Sequence, residues 1–401
     1  MKILWVNSSF LHPTNRGGQI RTLEMLRQLH RRHEVHYVAF EDPDQPEGMR
    51  RSPEYSTRAY PVPHHAPPRG SAGFAVQAAA NLFSSLPLPV SRYRSPAMAA
   101  VIRDLLAREQ FDAVVCDFLF PALNFDRLDR CVLFAHNVET AIWQRQAQTA
   151  RNPALRWYFG RQARRMFKCE RDVCRKVARV VAVSPVDAEK MRQMFGVSNA
   201  TDVPTGVDVD YFAPPPESPR QADLVFIGSM DWMPNIDGVE YFTQEIFPLI
   251  QARRPDCTLA VVGRFPPPKI VRLAGRNPNI RVTGMVPDIR PYLWGAAVSI
   301  VPLRIGSGTR LKIYESMAAQ IAVVSTTVGA EGLEIHPPND IRIADDPAAF
   351  AHRCLELLDD ADARRGVAEA GRRLVVSRFS WEKVTRRMEE LLTSTPSGGG
   401  S

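Results

Sequence analysis

The segment Gly306-Ser307-Gly308-Thr309-Arg310-Leu311-Lys312-Ile313-Tyr314-Glu315 gathers two glycines, two cations and a carboxylate into one short stretch. It follows the β-branched run Ala297-Val298-Ser299-Ile300-Val301, which reads as a buried strand. Leu311, Tyr314 and Ala318 then recur at helical spacing. In a strand, glycine loop and helix start, free backbone N–H groups can bind phosphate. Gly306 and Gly308 let the backbone come close, and Arg310 and Lys312 add positive charge. Glu315 falls about one turn inside the helix at ~3.6 residues per turn, where a carboxylate can accept hydrogen bonds from ribose hydroxyls. The stretch therefore offers a diphosphate cradle and a sugar clamp. The plainer alternative is a strand-to-helix connection with a solvated Arg and Lys, because Gly-x-Gly alone is weak evidence.

Two runs of alternating strands and helices would position these groups, which predicts an α/β chain of doubly wound parallel sheets. The first run opens with a strand at Ile3 to Val6, a helix carrying Leu23, Leu26 and Leu29, and a strand at Val35 to Phe40. Gly17 and Gly18 stand where that helix would offer N–H groups to an anion, although a tight turn explains them equally. Their spacing is not that of a dinucleotide fingerprint. Residues 42–73 are rich in Pro, Arg and Gly and read as irregular surface chain beside an acceptor opening. Helices are expected over Ala75 to Phe83 and Pro96 to Arg108, and strands over Phe111 to Cys116, Cys131 to Ala135 and Val180 to Val183. The second of these strands ends in His136-Asn137-Val138-Glu139. Polar residues at the carboxyl ends of parallel strands face the binding crevice, so His136 is singled out; the alternative is a capping or buried histidine. Pro214-Pro215-Pro216 and Pro219 read as a stiff linker near a domain boundary. The second run begins at Leu224-Val225-Phe226-Ile227-Gly228-Ser229. It continues with a helix from Gly238 to Arg253, a strand ending at Gly263-Arg264, and a strand ending in Gly284-Met285-Val286.

The chain has 401 residues, 45% apolar and 23% charged, enough for two globular domains. Its net charge of +8 favours anionic partners. Six cysteines without a Cys-x-x-Cys pair suggest neither zinc nor disulfides and fit a reducing cytoplasm. The apolar start is too short for a signal peptide, and no run approaches the ~20 residues that span a bilayer. Residues 393–401 read as a flexible tail or an added linker. Residues 145–179 hold eleven Lys and Arg against Glu170 and Asp172, a balance of +9. Leu155, Phe159, Met166, Val173 and Val177 form an apolar stripe there. Such a segment is either a core-facing helix with a solvated basic face or a face for anionic lipid, where each cation adds ~1 kcal/mol. No nucleic-acid motif accompanies it.

The central stretch, followed by Val323-Val324-Ser325-Thr326-Thr327-Val328-Gly329-Ala330-Glu331-Gly332-Leu333, resembles the donor-site signature of the retaining family 4 glycosyltransferases of GT-B fold. It is similar to a bacterial branch carrying Gly-Ser-Gly-Thr-Arg-Leu-Lys-Ile followed by Glu and Ala. Val203-Pro204-Thr205-Gly206-Val207-Asp208 resembles the family's interdomain Pro-Asn-Gly-Val-Asp, and Arg378-Phe379-Ser380-Trp381 its final helix start. The resemblance implies two Rossmann-like domains facing across a cleft: an acceptor-side domain over 1–203 and a donor domain over 204–377. A helix near 378–392 would return to the first domain. It implies catalytic roles for His136, Arg310, Lys312 and Glu315. It implies donor contacts from Gly17, Gly18, Gly228, Ser229, Arg264, Gly284, Val286, Ser307, Gly308 and Thr309, with Arg21 raised beside them. Ser307 stands where the family commonly has a first Glu, and Ser229 where many relatives have Arg. The implied donor is a UDP- or GDP-sugar, with no further cofactor and no obligatory metal. The implied acceptor is a glycan, a lipid-linked sugar or a small molecule, in bacterial surface polysaccharide or glycoconjugate synthesis. The implied place is the cytoplasm or the inner face of the plasma membrane. A nucleotide-sugar epimerase, a phosphorylase on the same fold and a non-catalytic binding protein are the alternatives.

Overall fold

The computed structural model describes residues 1–14, 17–64, 66–68, 70–150, 152–305 and 311–395. The chain forms two compact units: Met1–Pro204 with the chain from Val384 on, and Thr205–Lys383.

The first unit is a seven-stranded parallel sheet. Its strands are β1 (Lys2–Val6), β2 (Glu34–Glu41), β3 (Arg58–Pro63), β4 (Ala113–Asp117), β5 (Cys131–Phe134), β6 (Arg179–Ala182) and β7 (Ala200–Asp202), in the order β3-β2-β1-β4-β5-β6-β7. Both faces are covered, so the central strands are apolar throughout. Side chains alternate across β1: Leu4 and Val6 enter one core with Val38 and Val114, and Ile3 and Trp5 enter the other with Val35 and Val115. The helices relevant to function are α1 (Gly17–His30), α2 (Ala72–Asn81), α3 (Pro96–Arg108), α4 (Glu139–Thr149) and α5 (Pro153–Lys176).

The second unit is a six-stranded parallel sheet of β8 (Ala222–Ile227), β9 (Leu259–Val262), β10 (Ile280–Gly284), β11 (Ala296–Val301), β12 (Ala322–Ser325) and β13 (Arg342–Ile343), in the order β10-β9-β8-β11-β12-β13. Its helices include α6 (Met233–Tyr241) and α7 (Leu311–Ala318). In each sheet the chain builds to one side of the first strand and then returns to the other. The order thus reverses between β1 and β4, and between β8 and β11, and ligands of open α/β sheets bind outside such points. A last helix, α8 (Trp381–Ser394), starts in the second unit, where Trp381 covers Gly206, and continues into the first. There Val384, Met388 and Leu392, four residues apart, join the core of Ile3 and Trp5.

Several expectations are corrected. Residues 42–73 are not all irregular, because Arg58–Pro63 pairs in parallel with β2 from His36↔Arg58 to Glu41↔Pro63. Pro61 and Pro63 disguise this strand and are tolerated because it is a sheet edge. The helix expected from Gly238 begins at Met233, with Pro234 in its first turn, and passes through a π-turn at Phe242–Ile246. The proline run after Ala213 lies inside the second unit, whose core already includes Val207 and Phe212. In the basic segment Met166 and Val173 are buried as the stripe requires, but Leu155 is 49% exposed. Thr393 and Ser394 are helical, while residues 396–401 of the expected tail lie outside the described residues.

Candidate functional site

In the first unit the site is built around Asp117 at the end of β4. One carboxylate oxygen accepts from Trp5 Nε1 (3.0 Å), Asn7 Nδ2 (2.7 Å) and Thr22 Oγ1 (2.8 Å), and the other faces His136 Nε2 at 2.7 Å. An oxygen that can only accept assigns the imidazole proton to Nε2 and leaves Nδ1 as an acceptor. Burial lowers the pKa of His136, against the pull of Asp117, so the ring is neutral near pH 7. The ring stacks on Phe118 at 3.9 Å between centroids. Phe118 has φ of 67°, a left-handed conformation that bulky residues rarely adopt and that often marks a functional turn.

The start of α1 meets this pair. A Cβ on Gly18 would lie 2.6 Å from the Phe118 ring and 3.5 Å from His136 Nδ1. Gly18 is therefore required by close approach, whereas nothing lies within 4 Å of a Cβ on Gly17. The structure brings Gly18 and His136 together, with Gly17 beside Gly18 at the first position of α1, while Arg21 points elsewhere. That side chain is buried, donates to the carbonyls of Val203 and Pro204 and lies over the Phe134 ring. Burial lowers its pKa to about 9. Through these carbonyls Arg21 ties α1 to the chain that follows β7.

The loop after His136 is pinned from behind. Glu170 of α5 accepts from the Glu139 amide (2.9 Å), the Thr140 amide (2.7 Å) and the Thr140 hydroxyl (2.6 Å) at the start of α4. Glu139 is buried beside it. Burial pushes both carboxyls up to about 7, and Glu170 adds to the shift on Glu139. Beside the carboxyl ends of β1 and β2 lies a cavity of about 190 Å³ lined by Ser9, His12, Gln19, Phe40, Glu41 and Asp42, among others.

In the second unit the groups gather at the ends of β8, β9 and β10. Lys312 Nζ donates to Asn235 Oδ1 (2.7 Å), and Asn235 Nδ2 donates to the Ser229 carbonyl (2.7 Å). The ammonium lies 4.4 Å from the centroid of the Phe226 ring. A Cβ on Gly228 would be 2.7 Å from both Lys312 Nζ and Asn235 Nδ2. One on Gly263 would be 1.8 Å from the Gly228 carbonyl oxygen. Arg264 Nε donates to Ser229 Oγ (3.0 Å), which donates to Asp231 (2.5 Å). Gly284, with φ of 71°, accepts from the Gly263 amide. Gly228, Ser229, Arg264, Gly284 and Lys312 thus converge as predicted. The Val286 side chain packs on the core, which leaves only its backbone to the turn. Glu315 lies three residues after Lys312 on α7 and is half-buried; desolvation pushes its carboxyl up to about 7, against the pull of Lys312. Ser307, Gly308, Thr309 and Arg310 lie outside the described residues.

Sequence reasoning missed Asp117 as an organising group, and Asn7, Asp231 and Asn235. The strand-end rule that singled out His136 applies equally to Asp117. Asn235 was hidden because its role depends on Lys312, 77 residues away. Among the described residues, Glu34, His36 and Glu109 have ligand-type atoms within 4.8 Å of one another. Lys2 Nζ lies 2.5 Å from Glu109 and 3.5 Å from Glu34, so an ammonium already pairs with both carboxylates. Among the described residues no helix is long and apolar enough to cross a membrane.

Residues 15–211 match the family model described as Glycosyltransferase Family 4, and residues 221–360 the model described as Glycosyl transferases group 1. An uncharacterized 44.6 kDa protein in the cps region of Klebsiella pneumoniae is 20% identical over 381 residues, covering 92% of this chain and 93% of that protein. The GDP-mannose-dependent monoacylated alpha-(1-6)-phosphatidylinositol monomannoside mannosyltransferase of Corynebacterium glutamicum is 25% identical over 235 residues, covering 53% of this chain and 61% of that protein. The structure of Anabaena HepE in complex with UDP superposes with a TM-score of 0.69 at 12% identity, over 98% of this chain and 100% of that one. Two Rossmann-like units with this strand order and these likenesses define a protein of GT-B fold. Within that class the chain is a family 4-like glycosyltransferase.

Proposed function

We propose that the chain transfers a sugar from a UDP- or GDP-sugar to a glycan, lipid-linked or small-molecule acceptor, with retention at the anomeric carbon. The observation that carries this reading is the convergence of Gly228, Asn235 and Lys312 outside β8, with Glu315 one turn further along α7. The close approach of Gly228 and Gly263 leaves backbone where a diphosphate must come near. As the anomeric C–O bond to the diphosphate breaks and a bond to the acceptor oxygen forms on the same face, the acceptor's hydroxyl proton passes to the departing diphosphate and Lys312 meets the growing negative charge. Arg310 and the amides of Gly308 and Thr309 complete that cradle in this reading. Such preorganised electrostatic stabilisation is often the largest single term in catalysis. Because the chain supplies these cations, the reading needs no metal.

Glu315, ionised, accepts from the ribose hydroxyls. Neutral His136 offers Nδ1 beside the start of α1, where the transferred sugar would lie. The cavity at Gln19, Glu41 and Asp42 suits acceptor hydroxyls, which carboxylates accept well. The name of the Klebsiella relative places that protein in a cps region, which supports a role in surface polysaccharide. The basic segment 145–179 suits work at the inner face of the plasma membrane, where lipid-linked acceptors lie.

The test is thermal unfolding with UDP, GDP, ADP and CMP in parallel. This is followed by assays of each matching sugar nucleotide for transfer, with the product anomer read by NMR. A nucleotide at ~100 times its dissociation constant stabilises by ~2.7 kcal/mol, a shift of a few degrees. UDP or GDP is expected to shift the transition, and the transfer rate is expected to survive EDTA. No shift with any nucleotide or nucleotide sugar would overturn the donor site. An inverted product would overturn retention alone.

A further inference from the structure

We propose that the first unit seats on an anionic lipid bilayer through one continuous surface formed by α2, the residues just after it, and the amino-terminal half of α5. The apolar side chains of α2 and Trp157 enter the headgroup layer, and the cations of α5 meet the lipid phosphates. This deepens the placement at a membrane proposed above and depends on no residue of the donor site.

α2, Ala-Gly-Phe-Ala-Val-Gln-Ala-Ala-Ala-Asn, carries no charge. Val76 is 70% exposed and Phe83, just past the helix, is 94% exposed. Scattered exposed apolar residues are ordinary, but an uncharged helix leading to a fully exposed aromatic is not. Polar staples hold its carboxyl end. Arg161 and Arg165 each donate to the Leu82 carbonyl at 2.8 Å, and Arg165 also donates to the Asn81 carbonyl at 2.7 Å. Gln162 Nε2 donates to Asn81 Oδ1 at 2.9 Å. Cations at helix C-termini satisfy the last carbonyls and complement the helix dipole. The helix is thereby fastened at its end while much of its apolar flank stays in water.

α5 continues the same surface. Leu155 is 49% and Trp157 57% exposed, and the Arg161 guanidinium lies 5.9 Å from the centroid of the Trp157 ring. Trp157, Arg161, Arg164 and Lys168 recur at steps of four, three and four, so they share one stripe. Gln162, Met166, Cys169 and Val173 form a neighbouring stripe, and it is buried. A ribbon therefore runs from Phe83 through the Arg staples to Trp157, bordered by exposed Arg156, Arg164 and Lys168.

Charge complementarity selects the occupant. Of the acidic residues in 145–179, Glu170 is buried and Asp172 is paired with Arg171, so this face would repel a second copy of itself. Aromatic and aliphatic side chains beside Arg and Lys are the composition that lies in a lipid interface.

The test is co-flotation of the full chain with vesicles of phosphatidylcholine alone or with phosphatidylglycerol. Three chains are compared: unaltered, Val76→Asp with Phe83→Asp, and Arg156→Gln with Arg164→Gln and Lys168→Gln. The unaltered chain is expected to bind the anionic vesicles at least about tenfold more tightly than the neutral ones. Each variant is expected to lose about tenfold, with an unchanged thermal shift by nucleotide reporting an intact fold and donor site. If the unaltered chain ignores anionic vesicles, the membrane placement falls and this surface with it. If it binds but the Val76 and Phe83 variant binds equally, only this surface is overturned. Tighter retention on duplex DNA than on vesicles, insensitive to Phe83, would overturn the lipid assignment in favour of nucleic acid.

Discussion

Asp117 serves four donors with two oxygens, and that arrangement sets its expected sensitivity. Asp117→Asn keeps the shape but puts an N–H where a lone pair stood, which strands a buried donor and frees His136 to turn or change tautomer. Changes to groups that orient a metal-bound histidine cost ~10–100-fold, and the same orienting role sets the scale here. We expect Asp117→Asn to lower kcat by about that factor while KM for the donor stays within about twofold, and to move the pH profile. A fall in donor affinity with kcat intact would assign Asp117 a purely structural role. Glu315 gives the second prediction at this scale. Its half-buried carboxyl is pushed up to about 7 by desolvation, and only the ionised form accepts from ribose through both oxygens. The ionised fraction rises about tenfold between about pH 6 and about pH 8. Affinity for a nucleotide sugar, whose diphosphate does not titrate there, should rise to match. Calorimetry of Glu315→Gln should show a flat profile, and a parallel rise in the variant would remove Glu315 from the site.

At the scale of elements, two buried carboxyls meet at the start of α4, Glu139 of that helix and Glu170 of α5, both raised to about 7 from an ordinary 4.5. A carboxyl with a raised native pKa is protonated in both states below about 4.5, so it costs nothing there. As pH climbs towards 7 the unfolded chain ionises first, and stability falls. The cost for Glu139 is at most about 3 kcal/mol. Glu139→Gln should therefore unfold several degrees above the unaltered chain near pH 8 and nearly with it near pH 5. An equal difference at both pH values would mean that Glu139 does not titrate in the fold. The elements also show what was legible in the sequence. β1, β8 and β11 are short apolar runs buried on both faces, and such runs announce parallel strands. β3 was not legible because its prolines break the pattern, and only its place at a sheet edge makes them harmless. Gly228 and Lys312 could be singled out from their neighbours in sequence, and the fold brings them together. Asn235 and Asp117 were not, because each owes its role to partners that only folding brings near. The position of Arg21 near a glycine pair suggested an anion, and the partners its Nη2 finds are the carbonyls of Val203 and Pro204, just past β7.

Across the whole molecule, α8 is the element whose loss should be felt furthest from its own sequence neighbours. Val384, Met388 and Leu392 complete a core made otherwise of residues before 204. Met388→Ala should cost about 2–5 kcal/mol, as truncation of a buried methionine does. Calorimetry should show the transition of the first unit lowered while that of the second, tracked by its nucleotide-induced shift, stays in place. Equal lowering of both would mean that the two units unfold as one. The same helix also orders events in time. While the chain is being made, the face of the first sheet around Ile3 and Trp5 stays open until residues 384–392 have left the ribosome. The segment Thr205–Lys383 is continuous and can close its own core first. At ~5–20 residues per second the delay is on the order of ten to forty seconds, so the unit synthesised first is finished second.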